Sequence, residues 1–473
     1  MNGRDSIIGA PPRASVWRGE LIETIKLAGP LALTQLGQIA MMTIDLALIG
    51  RLGNTAVAAA ALAHGVLFTT FMFGLGLVAA VAPLAAQAFG ARQPRMVRRA
   101  LRVGLWAAVF TGVPLSLVQL QAGDLLIRLG QPPEVAVLAQ RYLLGLAWSL
   151  TPAWLFIALR GFMSALNRPE PALWITLVAV PANGLLAYML IYGAFGLPAL
   201  DLLGAGVATT LIDIAMFIAS LWICCMRPPF KKYRILGNFW RPDWPLLGKL
   251  AAIGLPISAT FLLEHGLFAA AALLMGLIGT VALAAHQVAL QTAAIVFMVP
   301  LGIGMAATVR VGHAVGRRDE AAARRAGFAA MGLGVAFQAA MALCVIVGRH
   351  DIPLLFLGST SVDPHMLTLT STLLLVGASF FIADGLQTIG AGALRGFNDT
   401  RVPLLFAAIS FWLVGFASAY ALAFWADLGP VGVWYGLVLG LAAYAALLLW
   451  RFTLLVRRGY LPEPPQEFAT ARS

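Results

Sequence analysis

The sequence predicts an all-α polytopic membrane protein of twelve transmembrane helices in two homologous six-helix halves. Three observations predict it. Hydrophobic residues make up 60% of the chain and charged residues only 11%, whereas a soluble domain carries about 25% charged residues. Most of the chain divides into apolar runs of the ~20 residues that a spanning helix needs. The first half of the chain is also repeated in the second.

The spans read from the apolar runs are 24–49, 56–82, 101–121, 138–159, 172–193, 204–226, 250–275, 281–307, 326–347, 367–391, 403–424 and 430–455. Turn signals separate them, among them Asn167-Arg168-Pro169, Arg227-Pro228-Pro229 and Gly429-Pro430. The polar N-terminus and the length of the first run fit a retained helix rather than a cleaved leader. Basic residues in short cytoplasmic loops orient membrane helices. With the N-terminus placed inside, all but four of the 32 Lys and Arg residues fall on the cytoplasmic side, the exceptions being Arg51, Arg128, Arg141 and Arg349. This asymmetry accounts for the net charge of +12 without nucleic acid as a partner. It predicts an inner-membrane, multi-pass protein with both termini cytoplasmic, and the Ala-, Gly- and Arg-rich composition points to a bacterium.

The expected organisation is a cytoplasmic tail over 1–23, a first lobe over 24–226, a linker over 227–249, a second lobe over 250–455 and a cytoplasmic tail over 456–473. The linker carries Arg227, Lys231, Lys232, Arg234, Arg241 and Lys249 among aromatic residues, a composition suited to resting on anionic lipid. Cys224, Cys225 and Cys344 all lie in apolar runs, which argues against a disulfide framework. HExxH, GxSxG, P-loop and paired CxxC patterns are all missing, so no enzyme activity and no cofactor is expected.

A shift of 226 residues superposes the halves without a gap over a long stretch. Pro30 falls on Pro256, Gly50 on Gly276, Gly53 on Gly279, Gly76 on Gly302, Gly90 on Gly316 and Arg92 on Arg318. Further on, Ala158-Leu159-Arg160-Gly161-Phe162 matches Ala393-Leu394-Arg395-Gly396-Phe397 at a shift of 235. Alanine matches would arise by chance in so Ala-rich a chain, but Pro, Gly and Arg matches would not. Six spans per half is an even number, so the halves enter the membrane in the same sense. Parallel repeats of this kind are a transporter architecture, with substrate and ion sites expected at or near the cavity between the halves and alternating access by rocking.

These residues carry a resemblance. The Gly29-Pro30 opening of span 1, Thr43-Ile44-Asp45 followed by Gly50-Arg51-Leu52-Gly53, Ala284-Ala285-His286-Gln287-Val288-Ala289-Leu290 and the duplicated Ala-Leu-Arg-Gly box resemble the multidrug and toxic compound extrusion (MATE) family, NorM-like branch. The likeness covers nearly the whole chain. It implies two V-arranged six-helix lobes of MATE/MOP type, and export of cationic and amphiphilic organic compounds in exchange for Na⁺ or H⁺; a monomer in lipid is the expected functional unit. A lipid-linked precursor flippase of the same superfamily is the nearer alternative, and a membrane-embedded enzyme the alternative of another class. The ionisable groups inside the spans are mainly acidic, which favours cationic cargo over pyrophosphate.

Four acids lie inside the spans: Asp45, Asp213, Glu264 and Asp384. A charged side chain at the bilayer centre costs about 2.5–3.5 kcal/mol on insertion scales, so such residues are functional candidates by default. Each also has a structural reading as a hydrogen-bond partner between helices. Glu264 and Asp384 sit in the second half, where their repeat equivalents Gln38 and Ser149 are neutral. The backbone pattern has been kept while the charge has diverged. Carboxylates supply hard oxygen ligands for Na⁺ and can carry protons, and the resemblance assigns this pair to cation coupling, with Na⁺ one occupant. Asp45 has the neutral repeat equivalent Ala271, and the resemblance makes it a protonation or drug-binding residue. No motif accompanies Asp213. Gln35, Gln38, Asn183, His265, His286, Gln287 and Gln387 extend the candidates as polar cavity residues, each with interhelical hydrogen bonding as its plainer role. Pro30 and Pro181 are positioned to bend spans 1 and 5.

Overall fold

A computed structural model of the chain describes residues 13–128, 130–196, 198–237, 239–241, 243–357 and 364–461. Among the described residues twelve helices are long and apolar enough to cross a membrane. They are α1 (Arg13–Gly50), α2 (Asn54–Gly90), α3 (Pro94–Gln119), α4 (Pro133–Ala165), α5 (Glu170–Tyr192) and α6 (Asp201–Met226) in the first half. The second half holds α7 (Trp244–Ile278), α8 (Thr280–Gly316), α9 (Glu320–Gly348), α10 (Pro364–Gly396), α11 (Arg401–Trp425) and α12 (Gly429–Arg457). Short helices at Ala122–Arg128 and Ile352–Leu357 precede α4 and α10, at corresponding places in the two halves.

Ten of the twelve helices contain their predicted spans and most run well past them, whereas α3 ends at Gln119 and α5 at Tyr192, just short of the predicted ends at 121 and 193. An apolar run marks only the hydrocarbon layer, and the helix continues through polar turns that keep their backbone bonds. Residues 13–23, read as tail, are the start of α1, and residues 1–12 of that tail lie outside the described residues. The linker ends at Asp243 rather than 249, because the Asp243 carboxylate accepts from the Leu246 amide at 3.3 Å and caps α7. Residues 462–473 of the predicted C-terminal tail also lie outside the described residues. Helix α1 is continuous through Pro30 and α5 through Pro181. The carbonyl of Pro30 accepts from Thr34 Oγ1 at 2.8 Å. Helix α11 is wound wider than an α-helix over Ala408–Phe416 and Ala421–Trp425.

Lipid tails are as apolar as Leu, so burial of large apolar side chains does not hold such a bundle together; close packing of small residues does. Accordingly Leu277, Val347 and Leu355 are 75%, 74% and 83% exposed on the outside. The interior is dominated by Ala and Gly. In the first half α1 packs on α5, α2 and α3 on α4, and α4 and α5 on α6; in the second, α8, α9 and α12 gather around α10. Between the halves α1 packs on α8 and α2 on α7, which are equivalent pairs under the repeat.

The seam between the halves keeps that two-fold correspondence in detail. A methyl group built on Gly76 would fall 2.2 Å from the Ser258 amide nitrogen, and one on Gly302 would fall 2.6 Å from that of Ala32. Ala32 and Ser258 are themselves repeat equivalents. Near the face that carries the linker, a methyl on Gly90 would fall 2.3 Å from the His313 carbonyl oxygen, and one on Gly316 2.1 Å from that of Gln87. Gln87 and His313 are again equivalents, and each reaches into the other half. Gln87 Nε2 donates to the Gly396 carbonyl at 2.8 Å, and Asn398 Nδ2 donates to Gln87 Oε1 at 2.7 Å. His313 Nε2 lies 2.7 Å from the Ala165 carbonyl. Arg310 forms a 2.7 Å ion pair with Glu20, and Ser258 Oγ donates to the Phe73 carbonyl at 2.5 Å. These contacts lie in the half of the bundle nearer the linker; towards the middle, the Phe68 and His265 rings meet across the seam at 4.8 Å.

The linker itself is anchored to α3. Trp106 Nε1 donates to the Phe239 carbonyl at 3.0 Å, Arg102 to the Gly237 carbonyl at 3.2 Å, and Arg99 pairs with Asp243 at 2.7 Å. Trp240, 84% exposed, projects from it.

Candidate functional site

The intramembrane acids form two separate clusters, one in each half. In the first half, Asp45 lies five residues before the end of α1 and is 5% exposed. Asn183 Nδ2 on α5 donates to Asp45 Oδ1 at 2.6 Å, and Thr209 Oγ1 on α6 donates to Asp45 Oδ2 at 3.1 Å. Three helices thus meet at one carboxylate, and hydrogen bonds to a charged acceptor are about twice as strong as neutral ones. Asn183 Oδ1 is buried without a partner among the described residues. Asp213 lies one helical turn beyond Thr209 on the same face of α6.

In the second half, Gln387 bridges the two acids. Its Nε2 donates to Glu264 Oε1 on α7 at 2.8 Å and to Asp384 Oδ1, one turn earlier on α10, at 3.1 Å. An amide NH₂ has two donors, and here one goes to each carboxylate. Asp384 is buried and Glu264 half-buried. Two carboxylates around one bridging amide offer oxygen ligands to a monovalent cation, or a seat for a proton. Among the described residues no three His, Cys, Asp or Glu side chains gather as ligands for a transition metal.

Gln35 and Gln38 form a third arrangement. Both face Arg160 on α4, a buried side chain whose Nη1 donates to Gln35 Oε1 at 2.5 Å and reaches Gln38 Oε1 at 3.5 Å. The other polar candidates stand apart from the acids. His286 is buried and its Nδ1 accepts from Trp434 Nε1 at 3.2 Å. His265 packs on Phe68, and Gln287 is exposed. Thr209 and Arg160 were missed as site residues. A signal for Thr209 was present, since Thr209 stands four residues before the acid Asp213 and so shares its face of a mostly apolar helix. Arg160 stood in the repeated box, but its glutamine partners lie about 120 residues upstream and nothing in the pattern links them.

The profile of the MatE family matches residues 30–189 and 256–421. A probable multidrug resistance protein NorM of Rhodopseudomonas palustris is 64% identical over 448 residues, which cover 95% of this chain and 94% of that protein. One of the same description from Bradyrhizobium diazoefficiens is 61% identical, over 93% of this chain and 94% of its own length. Among solved structures, the eukaryotic MATE transporter AtDTX14 has a TM-score of 0.84 at 22% identity, covering 94% of this chain and 98% of its own. A MATE protein in complex with MaL6 has a TM-score of 0.86 at 19% identity, covering 95% and 99%. At these identities the solved structures speak for the fold alone.

Proposed function

The chain belongs to the MatE family, and from that premise we propose that it is a secondary active multidrug exporter that exchanges cationic and amphiphilic organic compounds for Na⁺ or H⁺. The observation that carries this reading is the Gln387 bridge, which holds Glu264 and Asp384 together on two different helices of one lobe. Names borne by relatives that match almost end to end support the cargo class. The weight of Lys and Arg at the linker face supports placing that face in the cytoplasm of a bacterial inner membrane. The protein then works as a monomer, with its linker against anionic lipid.

The cycle follows from charge. With the cytoplasmic seam closed, the second-lobe pair takes up Na⁺ or H⁺ from outside. Neutralising the carboxylates alters the hydrogen bonds that tie α7 to α10 and weakens drug binding in or between the lobes. Drug leaves, the loaded protein turns inward, and the cation is released. Cytoplasmic drug then binds to the emptied protein. Reciprocal linkage requires each ligand to weaken the other's binding by the same factor. The acid cluster around Asp45 serves as a second protonation or drug-binding site.

The test is ethidium efflux from membrane vesicles with the Na⁺ and pH gradients imposed separately. Wild-type efflux should follow one of the two gradients, which identifies the coupling ion. Glu264→Gln should insert normally and lose gradient-driven efflux. Undiminished efflux by that variant would remove Glu264 from the mechanism.

A further inference from the structure

The repeat places an arginine at corresponding positions of the two lobes, Arg160 and Arg395, but the lobes treat it differently. In the first lobe two neutral amide oxygens, Gln35 and Gln38, receive the Arg160 guanidinium. Under the 226-residue shift Gln35 corresponds to Phe261 and Gln38 to Glu264. In the second lobe, accordingly, the Arg395 guanidinium lies over the Phe261 ring at 4.9 Å. Glu264 lies one helical turn beyond Phe261 on the same face of α7, and among the described residues no ion pair within 4 Å joins it to Arg395. The second lobe thus carries a carboxylate at the position where the first carries an amide, while both lobes keep the arginine. With Asp384 joined to Glu264 through Gln387, the cluster has two potential negative charges and one permanent positive one. Arg395 also borders a small cavity with Thr260, Asp399, Thr400 and Tyr444. The Tyr444 hydroxyl is buried without a partner among the described residues.

Charges in a low-dielectric site are tolerated when they are balanced locally. We propose that Arg395 is the tethered counter-cation of the Glu264–Asp384 pair: it offsets one carboxylate charge, so the site takes one monovalent cation and rejects a divalent one. The inference rests on the coupling reading above and deepens it. Arg395 is a positioning residue in this scheme, because it sets the charge that the cation meets without ligating the cation. The phenyl face of Phe261 holds the guanidinium near Glu264 through a cation–π contact, without an oxygen that would satisfy it in place of the acid.

The balance gives each variant a distinct outcome. Glu264→Gln leaves one carboxylate against one guanidinium, a net charge of zero, and cation binding should be lost. Arg395→Gln leaves two uncompensated carboxylates. Its Na⁺ or H⁺ titration should steepen from a Hill slope of about one towards about two, the limit set by the number of sites, and it should gain Ca²⁺ binding. The double variant Glu264→Gln/Arg395→Gln should regain binding of a single monovalent cation, and Arg395→Lys should behave as wild type. The measurements are radioactive Na⁺ and Ca²⁺ binding to the purified full-length protein at fixed pH and, in Na⁺-free buffer, proton uptake on acidification. Thermal melts establish that each variant is folded.

An arginine needed only for packing would make the double variant worse than Glu264→Gln alone. If wild type binds one cation while Arg395→Gln keeps its slope and the double variant stays inert, the counter-cation role is overturned and coupling stands. If wild type takes up neither Na⁺ nor protons at this site, the coupling reading falls and this inference with it.

Discussion

Asp45 shows how much of a site a single carboxylate can organise. Its two oxygens receive one donor each, from Asn183 and from Thr209, so α1, α5 and α6 converge on one group. Thr209→Val removes one donor and keeps the shape, at a cost of about 1–1.5 kcal/mol for a hydrogen bond of this kind. If Asp45 serves substrate or proton binding, that change should raise the half-saturating ethidium concentration for efflux about five- to tenfold, and Asp45→Asn should raise it further. A concentration series on vesicles decides the matter: an unaltered half-saturation in both variants would leave Asp45 a purely structural link. Asp45 and Asn183 were both legible as candidates, because an acid or an amide inside an apolar run stands out. Their pairing was not, since they are 138 residues apart on different helices. The same holds for Glu264 and Gln387, 123 residues apart.

At the scale of the helix, the seam depends on backbones that touch. Gly90 and Gly316 lie against the carbonyls of His313 and Gln87, closer than any Cβ tolerates, and backbone cannot give way as a flexible side-chain end can. Gly90→Val or Gly316→Val should therefore wedge α2 from α8 at the linker face and break the adjacent Gln87–Gly396 and His313–Ala165 contacts, each worth about 0.5–1.5 kcal/mol net. Spin labels at Arg92 and Arg318, on a cysteine-free background, would report it. Their separation should lengthen and broaden in either variant, and a distribution identical to the parent's would mean that the seam does not close through these glycines. The paired glycines were visible as repeat matches in the sequence. Their use was not, because a matched Gly marks a constraint without naming the partner that imposes it. The apolar runs likewise located all twelve helices and missed their polar ends, where capping and backbone bonding rather than hydropathy set the boundary.

For the whole molecule, the repeat makes two demands. The halves must pack through equivalent surfaces, and the α1–α8 and α2–α7 contacts meet that demand. They must also be free to differ where function requires it, and they differ in charge: neutral amides receive Arg160 in the first, and the Glu264–Asp384 pair marks the second. Orientation is the whole-molecule property that charge distribution predicts most directly. With the linker face cytoplasmic, a cysteine at Thr280 should react with a membrane-impermeant maleimide in intact cells, and one at Arg318 only after the cells are opened. The reverse pattern would invert the topology and with it the direction of transport.

The sequence by itself determined the solvent, the number and order of the helices, the two-fold repeat and the family, because each is written in local hydropathy or in residues that recur at a fixed distance. Tertiary structure decided which polar groups meet. It joined Asp45 to Asn183 and Thr209, drew Glu264 and Asp384 together through Gln387, and left His286 with Trp434 and Gln287 exposed. The physical reason is geometric. A helix presents its residues around a full circle, and hydropathy alone does not fix which face turns towards which neighbour. That choice is made by small residues packing at the interfaces and by the requirement that polar groups removed from water find partners.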